Sequence, residues 1–371
     1  MAITRIGNPA IADQRGINFR NIIINGDMSI AQRGTSATAL GNGDNGYHTC
    51  DRWRFFESGA PTAEFTMSQS TDVPSGQGFA TSLKLDCTTA QTSLASSDVI
   101  RIEQRIEGQN LQYLKKGTAN AESVTCSFWV KSSKTGTFIV ELNDSDNLRQ
   151  ISKSYTINSA NTWEKKTITY DGDTTGTLDN DSNNSIRFEM FLLAGTDFTS
   201  GTLATTWQAN DDADRAVGQV NLADSTSNEW YITGIQLETG QVASDFEFLP
   251  KDVNLNRCSR YFQKSYALGA FAGTTTNTGM ISTARIQNTV SNRPVSVFFN
   301  PSMRTTPTIT IYSLVGTSGS VSDVGTGTAH SRDESANVST TSPKNWAYLT
   351  GVAGLTAGDG MCFHYTADAE I

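Results

Sequence analysis

Aromatic side chains in polar surroundings are the residues of this chain best suited to bind a ligand. Tryptophan and tyrosine rings stack on the apolar faces of sugars and of other flat ligands, while polar side chains bind the edges of the ligand. Five residues are candidates for such stacking: Trp207, Trp129, Trp53, Tyr47 and Trp163. For each of them, packing in a core or an interface is the competing interpretation.

Trp207 is the candidate least suited to a core, because it lies in a long polar segment that spans residues 194–224. The same segment contains three neighbouring acidic residues, Asp211, Asp212 and Asp214. These carboxylates could ligate a cation, but a solvated acidic loop has the same appearance in a sequence. Trp129 alternates with Phe128 and Val130, so its ring is predicted to lie on the opposite face of a strand.

Patterns typical of catalytic sites are missing from the sequence. It contains no GxSxG, no HExxH and no phosphate-binding loop. A glycosidase needs two carboxylates at a fixed separation, and no such pair can be placed from sequence alone. We therefore expect a protein that is not an enzyme.

The five cysteines are scattered, without a CxxC pair. This spacing does not favour a metal or disulfide framework. Cys87 and Cys126 lie in strand-like runs, where a free cysteine usually behaves as a small buried hydrophobe. We expect no cofactor.

Charge is distributed unevenly along the chain. The formal net charge is −9, yet the residues after 240 contain nine Lys/Arg and nine Asp/Glu, so the whole excess lies before that point. An acidic first region argues against nucleic acid as a partner. Met1–Gly16 lacks the apolar core of a signal peptide, and no apolar run approaches membrane-spanning length. We therefore expect no membrane insertion.

Short segments with period-two alternation follow one another through the first part of the chain, and helical periodicity is nearly absent. The predicted strands lie at Asp51–Phe56, Leu83–Cys87, Val99–Ile106, Val124–Val130, Phe138–Leu142, Trp163–Tyr170 and Ile186–Leu193. Many short strands separated by polar turns are typical of a β-sandwich or jelly roll. The polar segment 194–224 is expected to be a surface excursion.

The segment from Asn228 to Gly240 is predicted to be the strand that closes this domain. Its apolar residues Ile232 and Ile235 are three positions apart where a regular strand repeats every two, which indicates a β-bulge at Thr233-Gly234. The apolar run Phe19–Ile30 is the predicted neighbouring strand. Ala31–Tyr47, which follows this run, is expected to be a loop.

The pattern changes near Pro250, where residues 249–256 are predicted to be a linker between domains. Asn254–Tyr266 is predicted to contain a short helix. Strands resume beyond Ala267, with Gly316–Ser342 expected to be a loop region. The sequence thus predicts a first domain at residues 19–248 and a smaller β domain at 257–371. Residues 1–18 are either a disordered tail or an extended arm that orders on a partner.

Several short motifs occur in the order found in known proteins. Asn25-Gly26-Asp27, Gln104–Glu107, Ser127–Lys131, Trp163 and Trp230–Ile235 together resemble a carbohydrate-binding-module domain of the galactose-binding-like jelly-roll type. Phe246–Phe248, Arg260–Phe262, Met303–Pro307 and the closing Ala367–Ile371 are similar to tail-fibre-like virion proteins of bacteriophages.

This resemblance implies an all-β protein, a galactose-binding-like jelly-roll sandwich followed by a smaller C-terminal β-sandwich domain. It also implies a phage tail fibre or receptor-binding protein that is made in the host cytoplasm, enters the virion and attaches to host cell-surface glycan without cleaving it. Residues 1–18 would then dock on other virion proteins. A structural virion component, such as a head fibre, capsid decoration or tail knob, is the alternative, and a glycan-degrading tailspike enzyme is a further one.

Relatives of this kind often hold a structural calcium ion near the first strand. Asp27 is retained here, but Thr233-Gly234 stands where an acidic pair is common, so Asp27 is a weak calcium candidate.

The second domain is expected to form a homotrimer, as fibre-like phage proteins commonly do. It is small and charge-balanced. Its strands Val295–Phe299 and Met361–Tyr365 carry apolar residues on both faces. A self-contained sandwich with strongly buried strands would give the same pattern.

Overall fold

A computed structural model describes residues 19–283, 293–324, 329–352 and 360–371. By contacts they separate into two compact units. The first contains the described residues up to Ser29, then Thr38–Gly46 and Trp53–Leu249. The second contains Ile30–Ala37, Tyr47–Arg52 and the described residues from Pro250 to Ile371. The predicted arm at residues 1–18 lies outside the described residues.

Thirteen strands cross the described chain as far as Leu249. They are β1 (Ser36–Leu40), β2 (Gly46–Tyr47), β3 (Arg54–Ser58), β4 (Glu64–Ser70), β5 (Ser82–Thr89), β6 (Val99–Glu107), β7 (Val124–Ser132), β8 (Gly136–Asp144), β9 (Arg149–Ile157), β10 (Glu164–Tyr170), β11 (Asn184–Ala194), β12 (Gln208–Ala209) and β13 (Glu229–Thr239).

These strands form two antiparallel sheets. Sheet A has the order β1-β4-β5-β13-β7-β10, and sheet B has the order β12-β9-β8-β11-β6-β3-β2. Consecutive strands repeatedly cross from one sheet to the other, as in a jelly roll. The all-β jelly-roll prediction is confirmed. Each of the predicted strands in this region is present except the first apolar run, while β4 and β9 were not predicted, and β1 and β2 lie in the expected loop Ala31–Tyr47.

The core lies between the inner faces of the two sheets. On β7, the side chains of Cys126, Phe128 and Val130 are fully buried, while Trp129 and Lys131 are only partly buried. This is the two-residue alternation that the sequence predicted. Cys87 and Cys126 are free and buried, as predicted, and burial raises the pKa of the Cys87 thiol to about 11.

The bulge in the closing strand is confirmed. Thr233 faces Trp129 and Gln236 faces Ser127, so β13 has one residue more than β7 between these pairs. Gly234 has a φ of 64° there, and a Cβ on it would approach the Phe79 ring to 2.5 Å. Only glycine meets both conditions without strain.

The prediction that Phe19–Ile30 is a neighbouring strand is wrong, because these residues contain no strand. Asn25 and Met28 each have a φ of 58°, which interrupts an extended backbone. The run nevertheless contacts the closing strand: Ile22 N donates to Leu237 O at 2.8 Å, and Ile235 N donates to Gly26 O at 3.0 Å. It therefore closes the bulged end of β13 as a loop.

The segment between β11 and β13, called the insert below (residues 196–224), is not the surface excursion expected from its polarity. It contains the short helix α1 (Thr196–Thr199) and β12. Its side chains Phe198, Leu203 and Ala216 pack against Val99, Ile139 and Phe191 on the outer face of sheet B. The insert therefore covers part of that face with a small core of its own.

The second unit contains helix α2 (Lys251–Ser259) and nine further described strands. They are β14 (Phe262–Lys264), β15 (Ile281–Ser282), β16 (Arg293–Phe298), β17 (Thr308–Tyr312), β18 (Ser320–Val324), β19 (Ala329–Ser335), β20 (Asn337–Thr341), β21 (Asn345–Thr350) and β22 (Gly360–Asp368). β22 pairs with β14, β15, β17 and β18, and β16-β21-β20 form a separate sheet.

Two predictions for this unit need correction. Helix α2 begins at Lys251, within residues 249–256 that were predicted to be a linker, and it ends earlier than predicted because the chain enters β14 at Phe262. The expected loop Gly316–Ser342 contains β18, β19 and β20. Thr and Val favour strands, and the abundant Gly and Ser of this region concealed that preference.

The two strands whose apolar pattern suggested trimer contacts differ in the structure. Met361–Tyr365 is buried throughout: its Phe363 belongs to the core with Trp346, and His364 on the other face contacts Ser265 Oγ at 3.0 Å. β22 is thus buried within its own unit. In β16 the burial alternates, and Phe298 is 73% exposed. The homotrimer stays a prediction.

Among the described residues, no helix is long and apolar enough to cross a membrane.

Candidate functional site

One row of side chains crosses the outer face of sheet A. Tyr231 on β13 faces Lys84 on β5 and Lys131 on β7. Trp163, which immediately precedes β10, lies beyond Lys131, whose Nζ is 5.7 Å from the centre of its ring. We call these four residues the aromatic–lysine row. Lys84, Lys131 and Tyr231 point to the same face because each occupies the outward position of the two-residue alternation, and Trp163 reaches this face through its contact with Lys131.

Carboxylates hold the row in place. Lys131 pairs with Asp72, which also accepts a hydrogen bond from Trp163 Nε1 at 3.0 Å. Burial acts to raise the pKa of Asp72, but these two hydrogen bonds hold it below its usual value. At this end of the row, a charged donor and a charged acceptor thus lie beside an indole ring.

The other end of the row has the same composition. Lys84 Nζ lies 2.6 Å from a carboxylate oxygen of Glu229, and the Tyr231 hydroxyl donates to the other oxygen at 2.8 Å. These two hydrogen bonds outweigh the effect of burial and lower the pKa of Glu229. Lys131 Nζ lies 4.1 Å from the centre of the Tyr231 ring, within cation–π distance.

Trp129 lies one row further along the same face. It faces Thr233 on one side and Lys165 on the other, and its side chain is partly exposed. Within the described part of the chain, the Trp129 indole has neither a hydrogen-bond partner nor a ring partner, and the exposed Lys165 has no ion pair. This indole is therefore available to a ligand, as the sequence predicted for its face of the strand.

The far half of the outer face of sheet A is covered by other side chains of the same unit. Phe79, Phe246 and Phe248 form an aromatic cluster with ring centres 4.9–5.1 Å apart, and Ser244 Oγ donates to Glu238 at 2.7 Å. The open surface therefore consists of Trp129, Lys165 and the aromatic–lysine row, in which the Tyr231 ring is buried under Lys84 and Lys131 and only its neighbours reach solvent.

Trp207 lies at the opening of a small apolar pocket at one end of the sandwich. Its Nε1 donates to Asp171 O at 2.8 Å, and Lys116 Nζ lies 5.1 Å from the centre of its ring. The structure thus places this predicted residue beside a cavity.

Two other predicted stacking residues, Trp53 and Tyr47, make contacts with other residues of their own units. Trp53 is fully buried, its Nε1 donates to Asn25 O at 3.1 Å, and its ring packs edge-to-face on Phe188. No ligand can reach it, so the structure removes Trp53 from the candidates. Tyr47 belongs to the second unit, where its hydroxyl donates to Ile371 O at 3.1 Å and Arg33 lies over its ring.

The acidic residues Asp211 and Asp214 accept hydrogen bonds from the backbone of the insert. Asp211 Oδ1 accepts from Ala213 N at 3.1 Å, and Asp214 accepts from Thr202 N at 2.7 Å. These carboxylates cap turns and fix the backbone of the insert.

The residues around Asp27 do not fit a calcium ion. Asp27 Oδ1 accepts from Ser29 Oγ at 3.0 Å, and Thr233 Oγ1 donates to Thr81 O at 2.8 Å. Calcium needs six to eight oxygen ligands. In the described ranges, no group of three or more His, Cys, Asp or Glu residues could hold a metal ion.

Three glutamates lie side by side on the outer face of sheet B. Glu189 on β11 faces Glu141 on β8 and Glu103 on β6, and all three are fully buried. Arg215 of the insert binds Glu141 at 3.0 Å and Glu189 at 2.6 Å. Burial raises the pKa of Glu141 to about 7, while Arg101 and Arg215 outweigh burial and lower the pKa of Glu189 to about 2.

Such a separation of pKa values is found in glycosidases, but these carboxylates have no opening to solvent. They form an internal ion-pair network.

The motifs similar to tail-fibre proteins contact one another within the second unit. Ala369 N donates to Tyr261 O at 2.8 Å. Arg304 Nε donates to Ala369 O at 2.8 Å, and Arg304 N donates to Arg260 O at 2.7 Å. These motifs therefore have a shared structural role.

Sequence reasoning missed most of the open surface on sheet A. Lys84, Lys131, Tyr231, Asp72 and Glu229 were not candidates. One signal was present, because Lys131 follows Trp129 by two positions and must share its face. The remaining residues come from other strands, whose register relative to β7 is not visible in a single sequence.

No protein-family model matches the chain, and no curated protein matches it. Among solved structures, the chain is similar to the enzymatically active domain of tailspike protein 4 of bacteriophage CBA120, with 13% identity and a TM-score of 0.31, over 60% of this chain and 22% of that one. The chain thus spans less than a quarter of the length of that relative.

The chain is also similar to the family 11 carbohydrate-binding module of Clostridium thermocellum in complex with a β-1,3-1,4-mixed-linked tetrasaccharide. The identity is 10% and the TM-score 0.29, over 57% of this chain and 99% of that one. A third similar structure is the N-terminal cellulose-binding domain of Cellulomonas fimi β-1,4-glucanase C, with 9% identity and a TM-score of 0.27, over 51% and 90% of the two chains. These TM-scores are low, so the proposals below depend on the residues of the chain itself.

Proposed function

We propose that the protein binds glycan without cleaving it, through the open surface on the outer face of sheet A. The observation that supports this most is the partly exposed Trp129 indole, which has no partner within the described chain. An indole on an open face offers a platform on which the apolar face of a pyranose ring can stack.

The neighbours of Trp129 provide the polar half of such a site. Lys165 lies directly across the strand pair, and the ammonium of Lys131 and the carboxylate of Asp72 lie beside Trp163. Sugar hydroxyl groups both donate and accept hydrogen bonds, so a surface that presents both charges suits them. The row is already held by its own ion pairs, so little side-chain ordering is needed on binding.

The absence of cleavage is part of the proposal. The open surface has carboxylates at Asp72 and Glu229, and each is engaged by a lysine with its pKa held below the ordinary value. A glycosidase acid needs a raised pKa instead. Glu141, whose pKa is raised to about 7, is fully buried. Burial also raises the pKa of Asp86, which faces Glu229 on sheet A, while Lys84 at 3.9 Å acts in the opposite direction.

A glycan array probed with the full-length protein tests the binding. Trp129→Ala should abolish binding to the glycans that the wild-type protein retains. Leu148→Ala is the matched control, because Leu148 is 66% exposed in a turn of the same unit. Unchanged binding by Trp129→Ala would overturn the proposed site. Release of reducing ends from a bound glycan would overturn the non-enzymatic assignment.

We further propose that the glycan lies on a host cell surface and that the protein is a phage tail fibre or receptor-binding protein. The resemblance of Arg260–Phe262, Met303–Pro307 and Ala367–Ile371 to tail-fibre-like virion proteins supports this. Immunogold labelling of intact particles should place the protein on the tail. Labelling of the head, or failure to bind any host envelope fraction, would favour the structural virion component.

The homotrimer belongs to the same proposal. Phe298 on β16 and Tyr348 on β21 are 73% and 44% exposed, and both point away from the core of their unit. Aromatic side chains in such positions are common in interfaces between chains. Light scattering of the full-length protein should give the mass of three chains, and Phe298→Ser should lower it. A wild-type monomer at micromolar concentration would contradict the trimer.

A further inference from the structure

The first unit contains a cavity that is separate from the open surface on sheet A. It is the apolar pocket beside Trp207, which opens at one end of the sandwich. Its walls come from the inner faces of both sheets and from the turn after β6, and include Ile106, Leu111, Leu114, Val124, Leu142 and Ile186. The cavity has a volume of about 30 Å³. It has room for one or two groups of the size of a water or a methyl, and no room for a sugar ring.

The rim of the pocket is rigid. Lys116 is buried and is bound by Asp144, by Asp173 at 2.9 Å and by Gly176 O at 3.0 Å. It lies over the Trp207 ring, and the Trp207 Nε1 is also hydrogen-bonded. Trp207 is thus fixed as one side of the opening, so the pocket exists before any ligand arrives.

Asp171 also lines the pocket and carries an acceptor that no residue of the described chain uses. Asp171 is exposed, and its carboxylate has no hydrogen bond or ion pair with another residue of the described chain. A second rim carboxylate, Glu122, is 2.6 Å from Lys115. A ligand here must therefore combine a short apolar group with an N–H or O–H donor next to it, and the acidic rim disfavours an anionic ligand.

We propose that this pocket binds the acetamido group of an N-acetylated amino sugar. The methyl group fills the apolar cavity between Leu111, Leu114 and Leu142. The amide N–H or a neighbouring hydroxyl donates to the carboxylate of Asp171. The sugar ring remains outside, against the edge of Trp207. The chain thereby gains a second site whose ligand is defined by a substituent, whereas the sheet A surface recognises the ring itself.

Saturation-transfer NMR with the full-length protein tests this. The probes are N-acetylglucosamine, N-acetylgalactosamine and N-acetylmannosamine, each beside its parent hexose. For at least one pair, the acetyl methyl protons should receive the strongest saturation, and the parent hexose should bind about tenfold more weakly, as expected for the loss of a buried methyl group.

Two variants locate the signal. Leu114→Phe should fill the cavity and remove the methyl saturation. Asp171→Asn, at an exposed position that does not endanger folding, should weaken binding while the methyl still enters. Trp129→Ala should leave the methyl saturation unchanged, so failure of the sheet A site and failure of the pocket are distinguishable.

The proposal is overturned if no acetyl methyl is saturated by the wild-type protein. It is also overturned if the saturation survives Leu114→Phe with folding confirmed by circular dichroism, because the acetyl group would then bind elsewhere, or if Asp171→Asn binds the sugar as tightly as the wild-type protein.

Discussion

The outer faces of the two sheets in the first unit carry similar residue types in opposite states. On sheet B, Glu103, Glu141 and Glu189 are fully buried, and Arg215 of the insert binds Glu141 and Glu189. On sheet A, the ion pair of Lys84 with Glu229 is 22% and 36% exposed. Both faces are built from strands with the same alternation, so the difference comes from what packs on each face.

Burial explains why only one of these faces suits ligand binding. Placing a carboxylate in a protein interior costs several kcal/mol unless a cation and hydrogen bonds compensate it. Sheet B meets this requirement with Arg101 and with Arg215 from the insert. Its charged groups therefore form ion pairs with one another. On sheet A the charges remain in contact with water, where a glycan can exchange its own hydrogen bonds for those of the solvent.

The largest effect on the free energy of unfolding is expected from removing Arg215, the cation that pairs with the buried glutamates of sheet B. Arg215→Ala leaves Glu141 and Glu189 buried with one partner fewer, so the free energy of unfolding should fall by about 3–5 kcal/mol. Urea denaturation of the full-length protein measures this. Arg187→Ala is the matched control, because Arg187 lies 3.1 Å from Glu189 but is 22% exposed, and it should cost less. Equal costs for the two variants would break the comparison between buried and exposed charges.

A smaller effect is expected from the titration of Glu141. Burial raises its pKa from the usual 4.5 to about 7. Between these values the folded protein binds a proton that the unfolded chain has lost, so stability falls as pH rises through this window, by at most about 1.4 kcal/mol per pH unit. Glu189 acts in the opposite sense: its pKa is lowered to about 2, so its contribution is present above pH 4.5 and is lost as pH falls towards 2.

Glu141→Gln sharpens this prediction. Glutamine keeps the shape and does not titrate, so the decline in stability between pH 4.5 and pH 7 should become smaller in the variant. The remaining slope comes from Asp51, Glu57 and Asp86, whose pKa values are also raised by burial. Urea denaturation at several pH values in this range checks the slope. An unchanged slope would show that another group causes it.

The smallest effect on the free energy of unfolding is expected from removing a charge on the outer face of sheet A. Lys84→Met removes the partner of Glu229, but both groups reach water, so the free energy of unfolding should change by about 1 kcal/mol or less. Thermal or urea denaturation is sufficient, with the wild-type protein at the same ionic strength. A loss of more than about 2 kcal/mol would show that this face is as dependent on its charges as sheet B, against the expectation for exposed pairs.

Local patterns predicted much of the fold and part of the site. The alternation of Cys126, Phe128 and Val130 gave both strand β7 and the outward face of Trp129. The three-residue step from Ile232 to Ile235 gave the bulge. These features depend on neighbours within a few positions, which a single sequence shows.

Other predictions failed for physical reasons that the sequence does not display. The apolar run Phe19–Ile30 looked like a strand, but left-handed backbone at Asn25 and Met28 makes it a loop. Trp53 and Trp129 are indistinguishable as residue types, yet the first is fully buried and the second partly exposed.

The sequence by itself determined the all-β class, the position of most strands of the first unit and the bulge in the closing strand, because strand periodicity and glycine conformation are local properties. Only the tertiary structure decided which outer face stays open. Arg215 reaches Glu141 and Glu189, which lie 74 and 26 positions away along the chain. The exposure of a charge depends on such distant partners, since burial is a property of what packs around a residue and not of the residue type.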